Sequence, residues 1–338
     1  MFYNLFLISN KTQTFSGLSS SFFRKISTKI IIPSDVANEM FATSSHDSMT
    51  LVPNQKQIEN HQQHLKKLYE VNSDFKKIGN NLFKNFNDPN VKSIALSFPQ
   101  PPNSEAGRSV FFLPVLSATA LFSGIGALPY YNDKGFPLFA LVDKDSTNPI
   151  LGHQDSMYYN PDDKESSLMK YLMLVNGFSQ SKAVTWFKES IEILKELKAN
   201  NLESYNILKD TFVIAKSKNP NEVESKTPFK IISENDELTF VSNFVYVPHP
   251  SLDSNSKIRF EKAVKLLKDI VNSKSNRHEF VLNQDEVQIL FLKNLLGLHG
   301  RGPVEEDQEG LRKIIAIPLG YTHSSSSVQI MNSRDNHK

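Results

Sequence analysis

Cysteine is absent from this chain of 338 residues, which excludes disulfides, thiolate zinc sites, iron–sulfur clusters and cysteine nucleophiles. Histidine, aspartate and glutamate therefore remain as the metal ligands. Acidic and basic side chains nearly balance, at a formal net charge of +2, so the composition gives no reason to expect nucleic acid as a partner. A hydrophobic fraction of 39% and 24 phenylalanines predict a folded protein that buries a substantial core.

Acidic residues are missing from positions 1–33, which contain basic residues and many serines and threonines. This composition resembles that of a transit peptide, although no amphipathic arginine pattern accompanies it. The favoured interpretation is a solvated segment that leads into a strand at Lys29–Ile32. We therefore expect a cytoplasmic protein, with a mitochondrial location as the alternative.

Charged residues are also missing from Val110–Tyr131, a run nominally long enough to span a bilayer. Prolines and glycines interrupt the run at positions 114, 124, 126 and 129. The sequence therefore predicts a buried helix from about Leu116 to Phe122 that runs into a glycine-rich turn, with no membrane partner.

The apolar periodicity predicts how the chain is organised. Residues 1–54 form an N-terminal extension that is partly loop, 55–322 a single domain, and 323–338 a disordered tail. Helices are predicted within 56–86, at Trp186–Leu197 and at Ile258–Val271. Four short strands follow late in the chain: Glu279–Leu282, Val287–Leu292, Leu295–His299 and Arg312–Leu319. This pattern favours an α+β, β-rich fold, in which a double-stranded β-helix (jelly roll) core, about 91–322, carries flanking helices.

Two histidines and one aspartate are the candidate metal ligands. His153 and Asp155 are two residues apart, so on a strand both side chains point to one face. A third ligand from His299 would complete the arrangement of two histidines and one carboxylate that suits non-haem Fe(II). The alternative is a surface turn, in which Asp155 caps a backbone N–H and His153 is solvated.

Arginine is scarce, with seven residues in the chain, yet two of them follow His299 closely. Arg301 alternates with His299 on one strand, and Arg312 begins the next strand after a polar turn. An antiparallel hairpin would bring Arg312 back beside His299. A buried arginine is costly unless it meets an anion, so a bound dicarboxylate would suit it. Alternatively, Arg312 pairs with an acidic side chain of the turn, at Glu305, Glu306 or Asp307.

Several segments together resemble the clavaminate synthase-like branch of the Fe(II)/2-oxoglutarate dioxygenases, which is related to taurine dioxygenase. They are Gly152-His153-Gln154-Asp155, Thr185-Trp186 at a predicted helix start, Asn294, His299-Gly300-Arg301-Gly302-Pro303 and Arg312. The likeness runs from about Ile94 to Leu319, and the His-Gly-Arg-x-Pro segment is its most specific part.

The resemblance implies a catalytic centre in which His153, Asp155 and His299 bind Fe(II). It further implies that Arg312 holds the distal carboxylate of the cosubstrate 2-oxoglutarate, that Thr185 assists, and that Arg301 has no assigned contact. The implied activity is the hydroxylation of a small polar substrate with O₂, a free amino acid or a derivative of one.

Two other hypotheses remain open. A catalytically inactive jelly-roll protein that binds a partner or small ligand is the first. Two departures from the branch motivate it: Lys293 stands where the branch has aspartate, and the spacing of 13 residues from His299 to Arg312 is one residue shorter than expected for the branch. Alternatively, the enzyme acts on a protein side chain or a lipid-like molecule. A further pair, His61 and His64, lacks an acidic third ligand, and we interpret it as a solvated helix face.

Overall fold

The computed structural model describes residues 27–42, 52–99, 109–132, 134–137, 140–142, 149–155, 170–179, 184–216, 228–280, 287–303 and 312–320. Most of the possible targeting segment and the predicted tail 323–338 lie outside these ranges.

Strands and helices are interspersed along the described ranges. The strands are β1 Ser27–Ile31, β2 Ser93–Phe98, β3 Leu128–Pro129, β4 Ala140–Val142, β5 Ile150–His153, β6 Tyr171–Ser179, β7 Thr185–Glu189, β8 Phe212–Lys216, β9 Phe229–Lys230, β10 Val245–Pro248, β11 His278–Phe280, β12 Val287–Leu292, β13 Gly297–Arg301 and β14 Arg312–Gly320. The helices are α1 Ser34–Phe41, α2 Gln55–Val71, α3 Ser73–Asn87, α4 Ser109–Gly124, α5 Ser190–Asn200, α6 Leu202–Asp210 and α7 Ser254–Asn272.

The described strands form three sheets. The large sheet has the order β1-β2-β12-β6-β14-β3, with β4 also pairing with β14. The small sheet has the order β11-β7-β13-β5, and β10-β8-β9 form a third sheet beside it. The pairs of the small sheet are antiparallel, and so are those of the large sheet except for β1 with β2.

An apolar cluster joins the inner faces of the large and small sheets. The large sheet contributes alternate residues of β6, β12 and β14, and the small sheet contributes Phe187 of β7. The members are Leu172, Leu174, Phe187, Leu290, Leu292 and Ile314. Because side chains alternate along a strand, the intervening residues face outwards. Two sheets packed in this way form the predicted jelly roll.

Helices cover the outer faces of both sheets. Met173, Phe291 and Ile317 on the outer face of the large sheet pack in one cluster with residues of α1 to α4. Trp186 and Leu298 on the outer face of the small sheet pack with α5, α6, α7 and the third sheet. The small sheet, which contains His153 and His299, therefore lies between the large sheet on one side and a helical layer on the other.

The uncharged run of residues 110–131 forms a longer helix than predicted. Helix α4 begins at Ser109, not near Leu116, and contains Pro114. Its described side chains are mostly buried, with Phe112 and Phe122 completely so, and α4 packs against α2. Tertiary burial therefore outweighs the cost of the internal proline. Among the described residues, no helix is long and apolar enough to span a membrane.

The predicted helix at Trp186–Leu197 is wrong in its first part. Thr185, Trp186 and Phe187 lie on strand β7, and the helix α5 begins only at Ser190. β7 pairs with β11 on one side and β13 on the other, and all five of its residues are buried. Two of them, Lys188 and Glu189, are charged, which made the segment resemble an amphipathic helix.

His61 is buried, which contradicts the prediction of a solvated helix face. Only 4% of the residue is exposed, and its Nε2 lies 3.0 Å from Ser117 Oγ on α4. Burial and, to a smaller extent, the nearby His64 lower the pKa of His61 to about 3. The ring is therefore a neutral core group that ties α2 to α4.

Candidate metal centre

His153, Asp155 and His299 come together, although 146 residues separate the first from the last. Each offers a ligand atom, and the three atoms lie within 4.8 Å of one another. His153 Nε2 lies 3.7 Å from Asp155 Oδ1, and His299 Nε2 lies 3.3 Å from Asp155 Oδ2. Within the described residues, this is the group that could hold a metal ion.

Strand pairing places the two imidazoles side by side. β5 and β13 are antiparallel neighbours, with His153 directly opposite His299, and the ring centroids are 4.3 Å apart. His299 is also opposite Phe187, whose ring belongs to the cluster between the two sheets. Cross-strand partners share a face, so both histidines lie on the inner side of the small sheet.

A hydrogen bond orients the ring of His153. Its Nδ1 lies 2.9 Å from the carbonyl oxygen of Leu151, so the Nδ1–H tautomer donates there and Nε2 keeps its lone pair. Burial and the neighbouring His299 lower the pKa of His153, while Asp155 and the bond to Leu151 oppose them. The neutral ring is the form that ligates metals.

Asp155 lies beyond the end of β5, where the chain leaves the sheet. Gln154 makes the last sheet-like contact, because its backbone N–H donates to Phe240 O and its side chain accepts from Phe240 N. The Asp155 side chain is 31% exposed, against 7% for His299. The triad is therefore buried on the His299 side and more open on the Asp155 side.

The residues fit a single divalent ion. Cis ligands about 2.1 Å from one ion are about 3 Å apart, and the two distances from the Asp155 carboxylate, 3.3 Å and 3.7 Å, are slightly longer and leave room for an ion. Two neutral nitrogens and one carboxylate on one side of the ion leave coordination positions free on the other. This donor set is typical of non-haem Fe(II) oxygenases.

Two glycines allow Trp186 to lie flat behind the triad. A Cβ at Gly152 would lie 2.7 Å from Trp186 Cη2, and one at Gly300 would lie 2.4 Å from Trp186 Cζ2. The guanidinium of Arg277 lies over the indole, 4.0 Å from the ring centroid. Trp186 therefore supports the strands that carry His153 and His299.

Gly300→Ala is expected to lower the free energy of unfolding by about 1–3 kcal/mol, because the methyl group would meet both Trp186 and, at 2.5 Å, the carbonyl oxygen of Ile150. Gly302→Ala is the matched control, since its Cβ would lie 3.7 Å from the nearest atom, Val184 O. Urea unfolding of both variants measures the difference. Equal stability of the two would show that the space behind the triad is not tight.

Asn272 is a supporting residue that the sequence analysis missed. Its Oδ1 accepts from Gly152 N at 2.9 Å, and its Nδ2 donates to Ser242 Oγ and Lys268 O. It ends helix α7, one residue past the predicted helix Ile258–Val271, and no sequence signal pointed from it to the site. Through this bond α7 fixes the strand that carries His153.

The predicted hairpin between the strands of His299 and Arg312 is wrong. β13 pairs with β5 and β7 in the small sheet, whereas β14 pairs with β6, β3 and β4 in the large sheet. Arg312 begins β14 opposite Ser179, the last residue of β6. Its side chain lies outside the described part of the structure.

Thr185 and Arg301 are cross-strand partners at one end of the small sheet, and both are buried. Thr185 begins β7 only six residues after Ser179, and the segment from Arg301 to Arg312 also links the two sheets. Short connections keep the joined strand ends near each other. The starts of β7 and β14 and the end of β13 therefore lie at a common edge of the jelly roll.

No family model matches the sequence, and no curated protein matches it either. Solved structures do match. An asparagine oxygenase in complex with Fe(II), 2S,3S-3-hydroxyasparagine and succinate superposes with a TM-score of 0.58 at 10% identity, over 88% of this chain and 94% of that one.

The non-haem iron oxygenase OrfP with Fe and α-ketoglutaric acid gives a TM-score of 0.56 at 14% identity, over 87% of this chain and 93% of that one. OrfP with Fe, succinate and (3R,4R)-dihydroxy-L-Arg gives 0.54 at 14% identity, over 86% and 93%. The resemblance inferred from the sequence is thus confirmed at the level of the fold. This chain has the jelly-roll fold of the non-haem iron, 2-oxoglutarate-dependent oxygenases.

Proposed function

We propose that the protein is an Fe(II)- and 2-oxoglutarate-dependent oxygenase that hydroxylates a free amino acid or a similar small polar molecule. The convergence of His153, Asp155 and His299 on one point carries this proposal. The likeness in fold to oxygenases solved with iron and 2-oxoglutarate or succinate supports it independently.

The three side chains would hold the iron through His153 Nε2, His299 Nε2 and the Asp155 carboxylate. Bound iron, with 2-oxoglutarate and O₂, supplies oxidative decarboxylation to succinate and CO₂ coupled to oxidation of a substrate C–H bond. The protein's part is to orient the ligands and exclude water from the closed side of the site.

Arg312 and Thr185 are proposed to hold the distal carboxylate of 2-oxoglutarate. The planar guanidinium of arginine suits a carboxylate, and a threonine hydroxyl adds a donor. The support is positional: both residues begin strands at the common edge, the first in the large sheet and the second in the small one.

The proposed substrate class is based on the compounds bound in the structurally similar oxygenases. The asparagine oxygenase and OrfP were solved in complex with 3-hydroxyasparagine, dihydroxy-arginine and L-canavanine, all free amino acids or derivatives. We therefore propose the same class for this chain, in preference to a protein side chain or a lipid-like molecule.

Lys293, which motivated an inactive binding protein, is engaged away from the ligands. Its Nζ donates to Asp88 O at 2.8 Å, and its backbone N–H donates to Lys92 O. Burial and the nearby Lys92 lower its pKa to about 8. The residue thus connects the end of β12 to the loop before β2. The presence of lysine here, where the branch has aspartate, does not change the metal-binding side chains.

Succinate formation tests the proposal. Purified protein with Fe(II) and 2-oxoglutarate is expected to produce succinate slowly alone and faster with one member of a panel of free amino acids. Boiled protein and omission of Fe(II) are the controls. Stimulation by a peptide or a lipid-like molecule, and not by a free amino acid, would show that the proposed substrate class is wrong. No succinate under any condition would favour the inactive binding protein.

A further inference from the structure

Asn294 lies in the 3-10 turn Asn294–Leu296, between β12 and β13, and no part of it is exposed. Its side-chain amide reaches a segment 139 residues earlier in the chain. Its Oδ1 lies 3.3 Å from the backbone nitrogen of Asp155, which donates to it, and its Nδ2 donates to the backbone oxygen of Asp155 at 3.1 Å. One amide therefore contacts both polar backbone groups of the carboxylate ligand.

The two bonds from Asn294 hold the chain just past the point where the pairing of β5 with β13 ends. His153 is fixed by pairing with β13, and Gln154 by its bonds to Phe240. Asp155 lies past the end of β5, beyond the residues that pair with β13. An amide can accept and donate at once, which is what a peptide unit of a neighbouring strand would do.

Asn294 is also close in sequence to His299, the buried histidine of the triad. Asn294 precedes His299 by five residues, through a single turn that leads into β13. The bonds therefore connect the carboxylate ligand directly to the segment that carries the buried histidine ligand. The Oδ2 atom of that carboxylate lies 3.3 Å from His299 Nε2.

We infer that Asn294 is a positioning residue of the metal centre, which holds the Asp155 backbone so that its carboxylate meets the ion together with His299. This inference rests on the proposed function, because it assigns Asn294 to the same metal site. Residues that orient metal ligands typically contribute roughly tenfold to a hundredfold to metal affinity.

Mn(II) binding to the apoprotein tests the inference without any turnover, with free Mn(II) followed by electron paramagnetic resonance. Asn294→Ala is expected to raise the dissociation constant for Mn(II) about tenfold to a hundredfold. Asn294→Ser, which keeps a small polar group but not the reach to both backbone atoms, is expected to give a similar change and serves if the alanine variant does not fold.

Asn85→Ala is the matched control. Asn85 is also a buried asparagine with both amide atoms engaged, since its Oδ1 accepts from Thr28 Oγ1 and its Nδ2 donates to Asn81 O. It lies on α3, outside the small sheet. Loss of stability by itself should therefore appear in this variant, with an unchanged Mn(II) affinity.

The outcomes separate the inference from the proposed function. The positioning role alone is overturned if the wild-type protein binds Mn(II) and the Asn294 variants bind it with dissociation constants within twofold of the wild-type value. An equal loss of affinity in Asn85→Ala also overturns it, because the effect would then be general destabilisation. Wild-type protein that binds no Mn(II) overturns the metal site, and the proposed function with it.

Discussion

Asp155→Ala is expected to abolish Fe(II)-dependent succinate formation. The two imidazoles would remain 4.3 Å apart between centroids, but the carboxylate that lies 3.3 Å and 3.7 Å from their Nε2 atoms would be gone. Two neutral ligands hold Fe(II) weakly and leave its charge uncompensated. Succinate production with added Fe(II), measured against wild type, gives the result.

The control for this loss is Asp253→Ala. Asp253 is the N-cap of α7, where its Oδ1 accepts from Ser256 N at 2.9 Å, and it lies outside the triad. Its removal should lower stability slightly, through the loss of the helix cap, and leave turnover per folded molecule unchanged. Succinate production at the wild-type level by Asp155→Ala would place the carboxylate ligand elsewhere, for example at Asp162 or Asp163.

Arg312→Lys is expected to raise the apparent KM for 2-oxoglutarate roughly tenfold to a hundredfold. Lysine keeps the positive charge but loses the bidentate fork, and a charge-assisted hydrogen bond is worth about 1.5–3 kcal/mol. Metal affinity should remain nearly unchanged, because His153, Asp155 and His299 are untouched. Steady-state kinetics in 2-oxoglutarate, together with a metal titration, separate the two effects.

Arg301→Lys is the comparison for that variant. Arg301 is buried on β13, opposite Thr185, and belongs to the segment that resembles the family most specifically. If Arg301→Lys raises the KM and Arg312→Lys does not, the cosubstrate carboxylate binds at Arg301. If neither variant changes the KM, the assignment of 2-oxoglutarate as cosubstrate is wrong.

Local sequence patterns predicted the parts of the site that depend on one segment. The two-residue spacing of His153 and Asp155 suggested a shared face, and the two side chains do meet, although Asp155 lies just beyond the strand. The late strands β12, β13 and β14 were predicted within a few residues of their bounds.

Long-range pairing could not be predicted in the same way. The polar turn after Arg301 suggested a hairpin, but β13 instead finds β5 and β7, which come more than 100 residues earlier. Partner choice depends on burial across the whole sheet, and one sequence does not rank the alternatives. The same limit hid the bonds from Asn294 to Asp155, which join segments 139 residues apart.

Strand β7 shows a second limit. A short apolar run flanked by charges suits either a buried strand or the start of an amphipathic helix. Lys188 looked like an exposed helix residue, yet none of it is exposed, because its Nζ donates to Ile270 O and to the hydroxyls of Ser273 and Ser275. Glu196 of α5 and the residues at the end of α7 make that burial possible, and the sequence alone did not show this pairing, so Thr185 and Trp186 were assigned to the wrong element.

Calorimetric titration of the apoprotein under anaerobic conditions tests most directly whether His153, Asp155 and His299 bind the iron to which 2-oxoglutarate binds. We predict that one Fe(II) binds per chain and that 2-oxoglutarate binds only when the metal is present. The loss of any one of the three side chains should weaken the binding of both Fe(II) and 2-oxoglutarate. Binding of 2-oxoglutarate that does not depend on metal, or Fe(II) binding that survives replacement of all three side chains by alanine, would contradict these predictions.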